Sequence, residues 1–108
     1  MYQPLPEHLT IAPSSIHRLG LFTEEAIEQG TNLGMSHLKF DGEIIRTPLG
    51  GFINHSDEPN CVRAKLRYTN QAKLDYIKWN LIVIRDIKKG EELTVKYEWY
   101  KPVERVVL

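Results

Sequence analysis

The chain has 108 residues, 42% of them apolar, and its 14 basic residues balance 14 acidic ones to give a formal net charge of zero. A chain of this length forms one compact domain and buries roughly 65% of its unfolded surface. Zero net charge argues against bulk electrostatic binding to nucleic acid or to an anionic membrane. Cys61 is the single cysteine, so an intramolecular disulfide and a Cys-rich zinc site are excluded.

Targeting and metal signals are missing from the sequence. The amino-terminal residues hold no apolar run of the kind that a signal peptide needs, and no segment is long enough to span a bilayer. We therefore expect a cytoplasmic protein in a reducing compartment. The four histidines and Cys61 show no metal-ligand spacing, so no metal site is expected.

The first half of the chain reads as short strands separated by Gly, Pro and Asn, with almost no helical periodicity. Strands are expected at 9–11 and 19–22. Residues 24–29 are too short for a helix to be assigned, and 33–45 carry mixed signals. A sharp break falls at Gly50-Gly51, and the sequence contains no internal repeat.

The clearest strand signal covers residues 62–68, where apolar and basic side chains alternate. The apolar set is Val62, Ala64, Leu66 and Tyr68, and the basic set is Arg63, Lys65 and Arg67. This period of two predicts a half-buried strand whose basic row is a solvated face.

A hairpin turn at 69–72 and a longer strand over 73–85 are expected to follow. The apolar phase of the longer strand slips at Tyr76-Ile77, which predicts a bulge there. Residues 81–84 are apolar on both faces, which is typical of a central strand. A last core strand carries Leu93, Val95 and Tyr97.

Two segments carry the strongest functional signal. Residues 51–60 read Gly-Phe-Ile-Asn-His-Ser-Asp-Glu-Pro-Asn, and residues 90–97 read Gly-Glu-Glu-Leu-Thr-Val-Lys-Tyr. Taken alone, the first is also typical of a turn, since Asn, Ser, Asp and Pro favour turns. Together with Arg18-Leu19-Gly20-Leu21-Phe22, in this order and spacing, they resemble the SET domain of protein-lysine methyltransferases.

This resemblance implies a mainly β, β-clip-like fold of several short sheets. In it, the Asn-His-Ser segment and the carboxyl-terminal strand form a pseudoknot. A single SET domain is expected over 1–108, with its core at about 8–101 and without pre-SET or Cys-rich post-SET regions. The chain is similar to the minimal SET proteins of viruses and bacteria.

The resemblance also implies S-adenosylmethionine as the cofactor. The residues that it assigns to cofactor binding are Arg18, Leu19, Gly20, Leu21, Asn54, His55 and Trp99. Arg18 stands where the family has the first of two glycines, which departs from the pattern. Glycine permits close backbone approach and unusual torsion angles.

Tyr97 falls on the family's catalytic tyrosine, and Val95, Arg63 and Tyr100 on its substrate channel. The partner implied is a protein with an accessible lysine. The family's variable insert has little room between residues 33 and 52, so the substrate side is expected to be open or completed by a second subunit. The apolar tail at 103–108 would suit such a homodimer, or an edge strand.

Two other functions compete with lysine methylation. The first is a SET-like module that binds cofactor or peptide without turnover, as Arg18 and the missing insert suggest. The second is a small β-rich interaction protein that contacts nucleic acid through Arg63, Lys65 and Arg67. Zero net charge argues against nucleic acid. The retained Tyr97 argues against the first alternative, although Tyr97 could also be only a core tyrosine at the end of an alternating strand.

Overall fold

The computed structural model describes residues 5–69 and 75–97. Within these ranges the chain forms eight strands and one helix of four residues. In chain order, the elements are β1 (Leu9–Pro13), β2 (Leu19–Thr23), β3 (Asn32–Phe40), β4 (Glu43–Arg46), α1 (Pro48–Gly51), β5 (Asn54–His55), β6 (Cys61–Thr69), β7 (Asp75–Val83) and β8 (Glu92–Val95). The mainly β class is confirmed. No helix among the described residues is long and apolar enough to cross a bilayer.

The strands form two four-stranded sheets, in the orders β1-β2-β8-β5 and β4-β3-β7-β6. The pair β5 and β8 is parallel, with Asn54 opposite Thr94 and His55 opposite Val95. The two motif segments therefore lie side by side in one sheet. The threading that a pseudoknot requires stays a prediction, because residues 98–108 lie outside the described residues.

One apolar cluster joins the two sheets. Its buried members are Leu9, Leu21, Leu49, Ile53, Cys61, Leu81, Val83, Ile87, Leu93 and Val95. Most of them come from β1, β2 and β8 on one side, and from β6 and β7 on the other, while Leu49 lies in α1, and Ile53 and Ile87 in connecting segments. The core therefore fixes the motif-bearing strands against the second sheet.

Two turns, one after β2 and one after β7, hold each other in place. Ile27 and Ile87 exchange two backbone hydrogen bonds of 2.9 and 2.8 Å. Gly30 donates to the carbonyl of Val83, and Gly90 donates to that of Thr23, at 2.7 and 2.8 Å. The segment 24–29 is thus part of a bridged turn. The spacing Ile27-x-x-Gly30-x-x-Leu33 recurs as Ile87-x-x-Gly90-x-x-Leu93, so the prediction that the sequence contains no repeat is wrong for these two turns.

Residues 33–45, whose sequence pattern favoured no single element, lie in a hairpin of β3 and β4. Its two-residue turn is Asp41-Gly42, with φ angles of 53° and 80°. Positive φ at both positions is typical of the type I′ turn, which Asp-Gly favours. The hairpin was therefore foreseeable from this dipeptide.

The predicted bulge at Tyr76-Ile77 is wrong. Strand β7 pairs with β6 without a shift, from Asp75 opposite Thr69 to Val83 opposite Cys61. The register shifts lie instead between β3 and β7, where β3 carries the extra residues. Strand β7 lies between two other strands, as predicted, and its two faces both carry apolar residues. An apolar phase change in such a strand needs no bulge.

The predicted burial of β6 is also wrong. Its even residues Val62, Leu66 and Tyr68 are exposed, whereas Arg63 and Lys65 are half-buried. Opposite residues of an antiparallel pair share a face, so the register puts the odd residues beside the buried Leu81 and Val83. The odd face therefore meets the core, and the even face does not.

Candidate active site

The side-chain amide of Asn54 joins the three segments that carry the motifs. Its Nδ2 donates to the carbonyl oxygens of Leu19 at 3.0 Å and His17 at 3.2 Å. The same nitrogen lies 3.2 Å from Oγ of Ser14 and 2.9 Å from Oε2 of Glu92. Two amide hydrogens are thus shared among four acceptors. Asn54 therefore holds the turn between β1 and β2 against β8.

Gly20 makes room for the carboxylate of Glu92. Ser14 Oγ lies 2.8 and 2.9 Å from the two oxygens of that carboxylate. A Cβ atom on residue 20 would overlap the Glu92 carboxylate. The structural reason for this glycine is therefore the close approach of the half-buried Glu92 carboxylate. Sequence reasoning placed Glu92 within a motif but did not assign it, or Ser14, to the site.

Of the four predicted cofactor-binding residues at the start of β2, two are exposed and two are buried. Arg18 is exposed and has a φ of 38°, in the left-handed region that favours glycine. Leu19 is exposed as well, whereas Gly20 is buried and the Leu21 side chain lies in the core. Leu21 can therefore meet a ligand only through its backbone.

Tyr97 is held at both ends by the segment 53–55. Its backbone N–H donates to Nδ1 of His55 at 2.8 Å, and its hydroxyl donates to the carbonyl oxygen of Ile53 at 2.6 Å. The rings of Tyr97 and His55 lie edge to face, with centroids 5.3 Å apart. The phenol is therefore placed by the Asn-His segment. The carbonyl of Ile53 is a partner that side-chain motifs could not reveal.

The tautomer of His55 follows from these bonds. Because Nδ1 accepts the N–H of Tyr97, the ring hydrogen lies on Nε2. Nε2 lies 3.0 Å from Oδ1 of Asp57, to which it donates. Asp57 thus orients the ring that receives Tyr97. Sequence reasoning considered Asp57 only as a turn residue.

Asn60, at the end of the segment 51–60, binds the backbone of β8 with its side-chain amide. It is buried, its Nδ2 donates to the carbonyl oxygen of Glu92 at 2.9 Å, and its Oδ1 accepts the N–H of Thr94 at 2.8 Å. A side-chain amide here imitates a neighbouring strand and satisfies the backbone of β8. It fixes β8 from the side opposite to β2.

A pocket of about 160 Å³ lies between β6, β7 and β8. Its lining residues are Pro59, Cys61, Val62, Arg63, Trp79, Ile84, Val95 and Lys96. The guanidinium carbon of Arg63 lies 5.5 Å from the centroid of the Tyr97 ring. Two predicted channel residues, Val95 and Arg63, therefore line one pocket, and Arg63 also contacts the Tyr97 ring.

Some of the residues predicted for the site lie outside the part of the chain that the structure describes. Trp99, Tyr100 and the tail 103–108 lie outside the described residues, as does most of the turn predicted at 69–72.

Cys61 lines the pocket, but burial raises the pKa of its thiol to about 12, against an opposing effect of Arg85. The thiol stays protonated at neutral pH, so it is not a nucleophile.

Comparison with known proteins identifies the family. The family model described as SET domain matches residues 36–98. The chain belongs to the SET domain family. The match begins after the turn that contains Arg18, the segment in which the sequence departs from the family pattern.

A curated relative is the Schizosaccharomyces pombe protein "Histone-lysine N-methyltransferase, H3 lysine-4 specific". It is 27% identical to this chain over 131 aligned positions, which cover 93% of this chain and 14% of the relative. The chain thus spans a small part of that protein's length.

Solved structures share the fold. A candidate histone methyltransferase of Plasmodium falciparum has a TM-score of 0.66 at 19% identity, with 90% of this chain and 100% of that chain covered. A humanised mutant of the Chaetomium thermophilum Polycomb Repressive Complex 2, bound to an inhibitor, has a TM-score of 0.66 at 21% identity. That match covers 85% of this chain and 15% of the other. At these identities the likeness establishes the fold alone.

Proposed function

We propose that this chain is a methyltransferase that uses S-adenosylmethionine to methylate a lysine side chain of a protein. The observation that carries the proposal is the placement of Tyr97, held between His55 and Ile53 and in contact with the pocket residue Arg63, in a member of the SET family. The methyltransferase named for the S. pombe relative supports it. We assign the function to a single unit with its core at about 8–101.

The described residues fit a cofactor that has both apolar and polar parts. The turn before β2 exposes the apolar side chains of Ile16 and Leu19 beside the polar backbone that Asn54 holds in place. S-adenosylmethionine would supply an electrophilic methyl group on a sulfonium. Arg18, Leu19 and the backbone of Asn54 and His55 would hold it. The Asn54 side chain would shape the turn.

The pocket that Arg63 and Val95 line would receive the lysine. Since the Tyr97 hydroxyl points its hydrogen at the Ile53 carbonyl, its oxygen presents lone pairs to an amine N–H. An amine held in this way has its own lone pair directed away from the phenol, ready for in-line attack. We propose Val95 and Arg63 as the channel walls.

The substrate amine must be neutral to attack. A free lysine has a pKa of about 10.4, so its deprotonation near pH 7.4 costs about 4 kcal/mol. Burial of the amine in the pocket lowers that pKa, and so does a neighbouring positive charge. Positioning and removal of water would supply most of the acceleration.

Two measurements on the whole chain test this proposal. Calorimetric titration with S-adenosylmethionine should give specific binding, and labelled cofactor should transfer methyl groups to lysines of histones or of other proteins. Binding without transfer to any protein mixture would identify a SET-like binding module instead. Absence of binding would contradict the cofactor assignment, and strongly salt-dependent binding of nucleic acid would favour the interaction protein.

A further inference from the structure

One face of the second sheet carries an excess of positive charge. Opposite residues of an antiparallel pair share a face, so the register assigns the side chains of β4, β3, β7 and β6 to one face or the other. It aligns two rows across the four strands: Arg46, His37, Trp79 and Lys65 in the first, and Ile44, Lys39, Ile77 and Arg67 in the second. Arg63 lies two residues before Lys65 on β6 and shares their face. We call it the basic face, after its cationic residues Lys39, Arg46, Arg63, Lys65 and Arg67.

Among the described residues of these four strands, the register places a single carboxylate on the basic face, that of Asp75. It lies 3.4 Å from the guanidinium of Arg67. Glu43 lies opposite Phe40, on the other face of the sheet. Arg46 and Arg67 are exposed, and the other three cations are half-buried. The face is therefore positive, although the chain has a formal net charge of zero.

The ring of His37, in the middle of the basic face, senses this positive charge. It packs edge to face against Trp79, with ring centroids 6.3 Å apart. Burial, together with the charges of Arg63 and Arg46, lowers the pKa of His37 from 6.5 to about 4. These two arginines belong to β6 and β4, the two edge strands of the sheet. Cations from both edges therefore act on the centre of the face.

The basic face is continuous with the pocket. Arg63 and Trp79 belong to the face and line the pocket, and Lys96 lines it from the end of β8. The two charged residues of the lining, Arg63 and Lys96, are both cationic. Lys65 and Arg67 follow Arg63 along β6 at about 7 and about 13 Å, given about 3.3 Å per residue. An extended segment whose lysine enters the pocket can therefore place residues up to about four positions away over these cations.

We propose that the basic face selects the substrate, and that the lysine to be methylated is flanked by acidic residues within about four positions. This inference rests on the proposed lysine methylation and adds the class of segment that is methylated. Charge complementarity favours an acidic segment, whereas a segment rich in lysine and arginine is repelled. Nucleic acid would meet the same charges, but it has no side chain to place in the pocket.

The charges around the pocket also suit the chemistry. The amine must be neutral to attack, and nearby cations such as Arg63 and Lys96 disfavour its ammonium form. The flanking acidic residues would lie over Lys65 and Arg67, outside the pocket, so they would attract the segment without stabilising the ammonium form as strongly. Binding of the segment and deprotonation of its lysine are thus served by different parts of one positive surface.

Three peptides of equal length test the preference. Each has one lysine, flanked on both sides at alternate positions by two glutamates, two glutamines or two arginines. Fluorescence anisotropy with the whole chain at low ionic strength should show the glutamate peptide bound about tenfold more tightly than the glutamine peptide, because several exposed charge pairs each add a small increment. The arginine peptide should bind most weakly. The differences should shrink in about 1 M salt, and kcat/KM of methyl transfer should follow the same order.

Lys65→Glu and Lys78→Glu are a matched pair of variants. Lys65 lies on the basic face, whereas Lys78 lies opposite Leu66, on the other face of the sheet. Lys65→Glu should reduce the preference for the glutamate peptide several-fold and bind the arginine peptide more tightly than the wild type does. A folding defect cannot produce that gain. Lys78→Glu should keep each affinity within about twofold of the wild type.

The outcomes separate this inference from the proposed function. Equal transfer to the three peptides would leave lysine methylation standing and overturn the acidic preference. Preferential binding of the glutamate peptide, reduced in Lys65→Glu but without methyl transfer, would support the acidic ligand and contradict the proposed function. Equal effects of the two variants, or no measurable binding of the glutamate peptide, would overturn the inference. Duplex DNA that binds more tightly than any peptide, and less tightly to Lys65→Glu, would instead assign the face to nucleic acid.

Discussion

The backbone N–H of Tyr97 donates a hydrogen bond of 2.8 Å to Nδ1 of His55, across a sequence separation of 42 positions. This bond connects the segment 51–60, which contains His55, to the segment 90–97, which ends at Tyr97. It ties the position of the phenol to the side chain of a residue whose backbone lies in the parallel pair of β5 and β8.

Replacement of Tyr97 by Phe should remove most of the turnover and leave cofactor affinity nearly unchanged. The variant loses the hydroxyl that would orient the amine, an effect of about 100-fold or more. Single-turnover methyl transfer and calorimetry measure the two quantities separately. Tyr68→Phe is the matched control, because Tyr68 is exposed on β6 and does not line the pocket. Unchanged turnover in Tyr97→Phe would refute the catalytic assignment.

Asp57→Ala should loosen His55 without unfolding the protein. The exposed Asp57 carboxylate accepts the Nε2–H of His55, so its removal costs less than about 1 kcal/mol of stability but frees the ring. We expect turnover to fall several-fold at unchanged cofactor affinity. The nitrogen chemical shift of Nε2 should change, because its N–H loses the carboxylate acceptor. Glu58→Ala removes the same charge one residue later and serves as the control. Equal effects of the two variants would exclude a positioning role for Asp57.

Gly20→Ala should destabilise the fold by about 1–3 kcal/mol, because the added methyl group overlaps the Glu92 carboxylate. Moving Glu92 aside would break its contacts with Ser14 and Asn54. Gly51→Ala is the control, since no atom lies within 4 Å of an added Cβ there. Urea unfolding compares the two. A Gly20→Ala variant as stable as Gly51→Ala would show that Glu92 relocates at no cost.

Substitution of Arg18 tests the left-handed backbone before β2. Valine is poorly tolerated at a φ of 38°, so Arg18→Val should destabilise the protein by about 1–2 kcal/mol. Arg18→Gly removes the strain, and this outweighs or balances the greater freedom of the unfolded chain. Its stability should therefore equal or exceed that of the wild type. A loss of stability in Arg18→Gly as large as in Arg18→Val would show that the Arg18 side chain, and not its backbone, matters.

Stability should fall as the pH drops from about 6.5 to about 4, because of His37. Burial, helped by the charges of Arg63 and Arg46, lowers the pKa of His37 from 6.5 to about 4. Between these two pH values, the unfolded chain binds a proton on His37 that the folded chain does not bind. The free energy of unfolding therefore decreases as the pH falls across this window. For a half-buried ring we expect a loss of about 1 kcal/mol after solvent screening.

Urea unfolding at a series of pH values measures this loss, and His37→Gln should flatten the curve between pH 6.5 and 4. Asp75 does not interfere with this test. A hydrogen bond from Thr69, aided by Arg67, lowers the pKa of Asp75 below 3.8, so its contribution is lost only at lower pH. An equally steep curve in His37→Gln would assign the effect to other groups.

The sequence by itself determined the family, the mainly β class and the approximate positions of most strands. Periodicity of two and turn residues such as Asp41-Gly42 are local signals, and local signals can be read along the chain. The motif residues around Asn54 and Tyr97 were also visible, because their order and spacing are unusual. Their assignment to cofactor and substrate stays a prediction.

Only the tertiary structure decided which residues these side chains meet. Glu92 beneath Gly20, the Ile53 carbonyl on the Tyr97 hydroxyl and Asp57 behind His55 are contacts between segments or with backbone atoms, which no local pattern encodes. The structure also decided which face of β6 is covered. Alternation shows that two faces differ, but burial depends on what the rest of the molecule, or a second molecule, packs against each face.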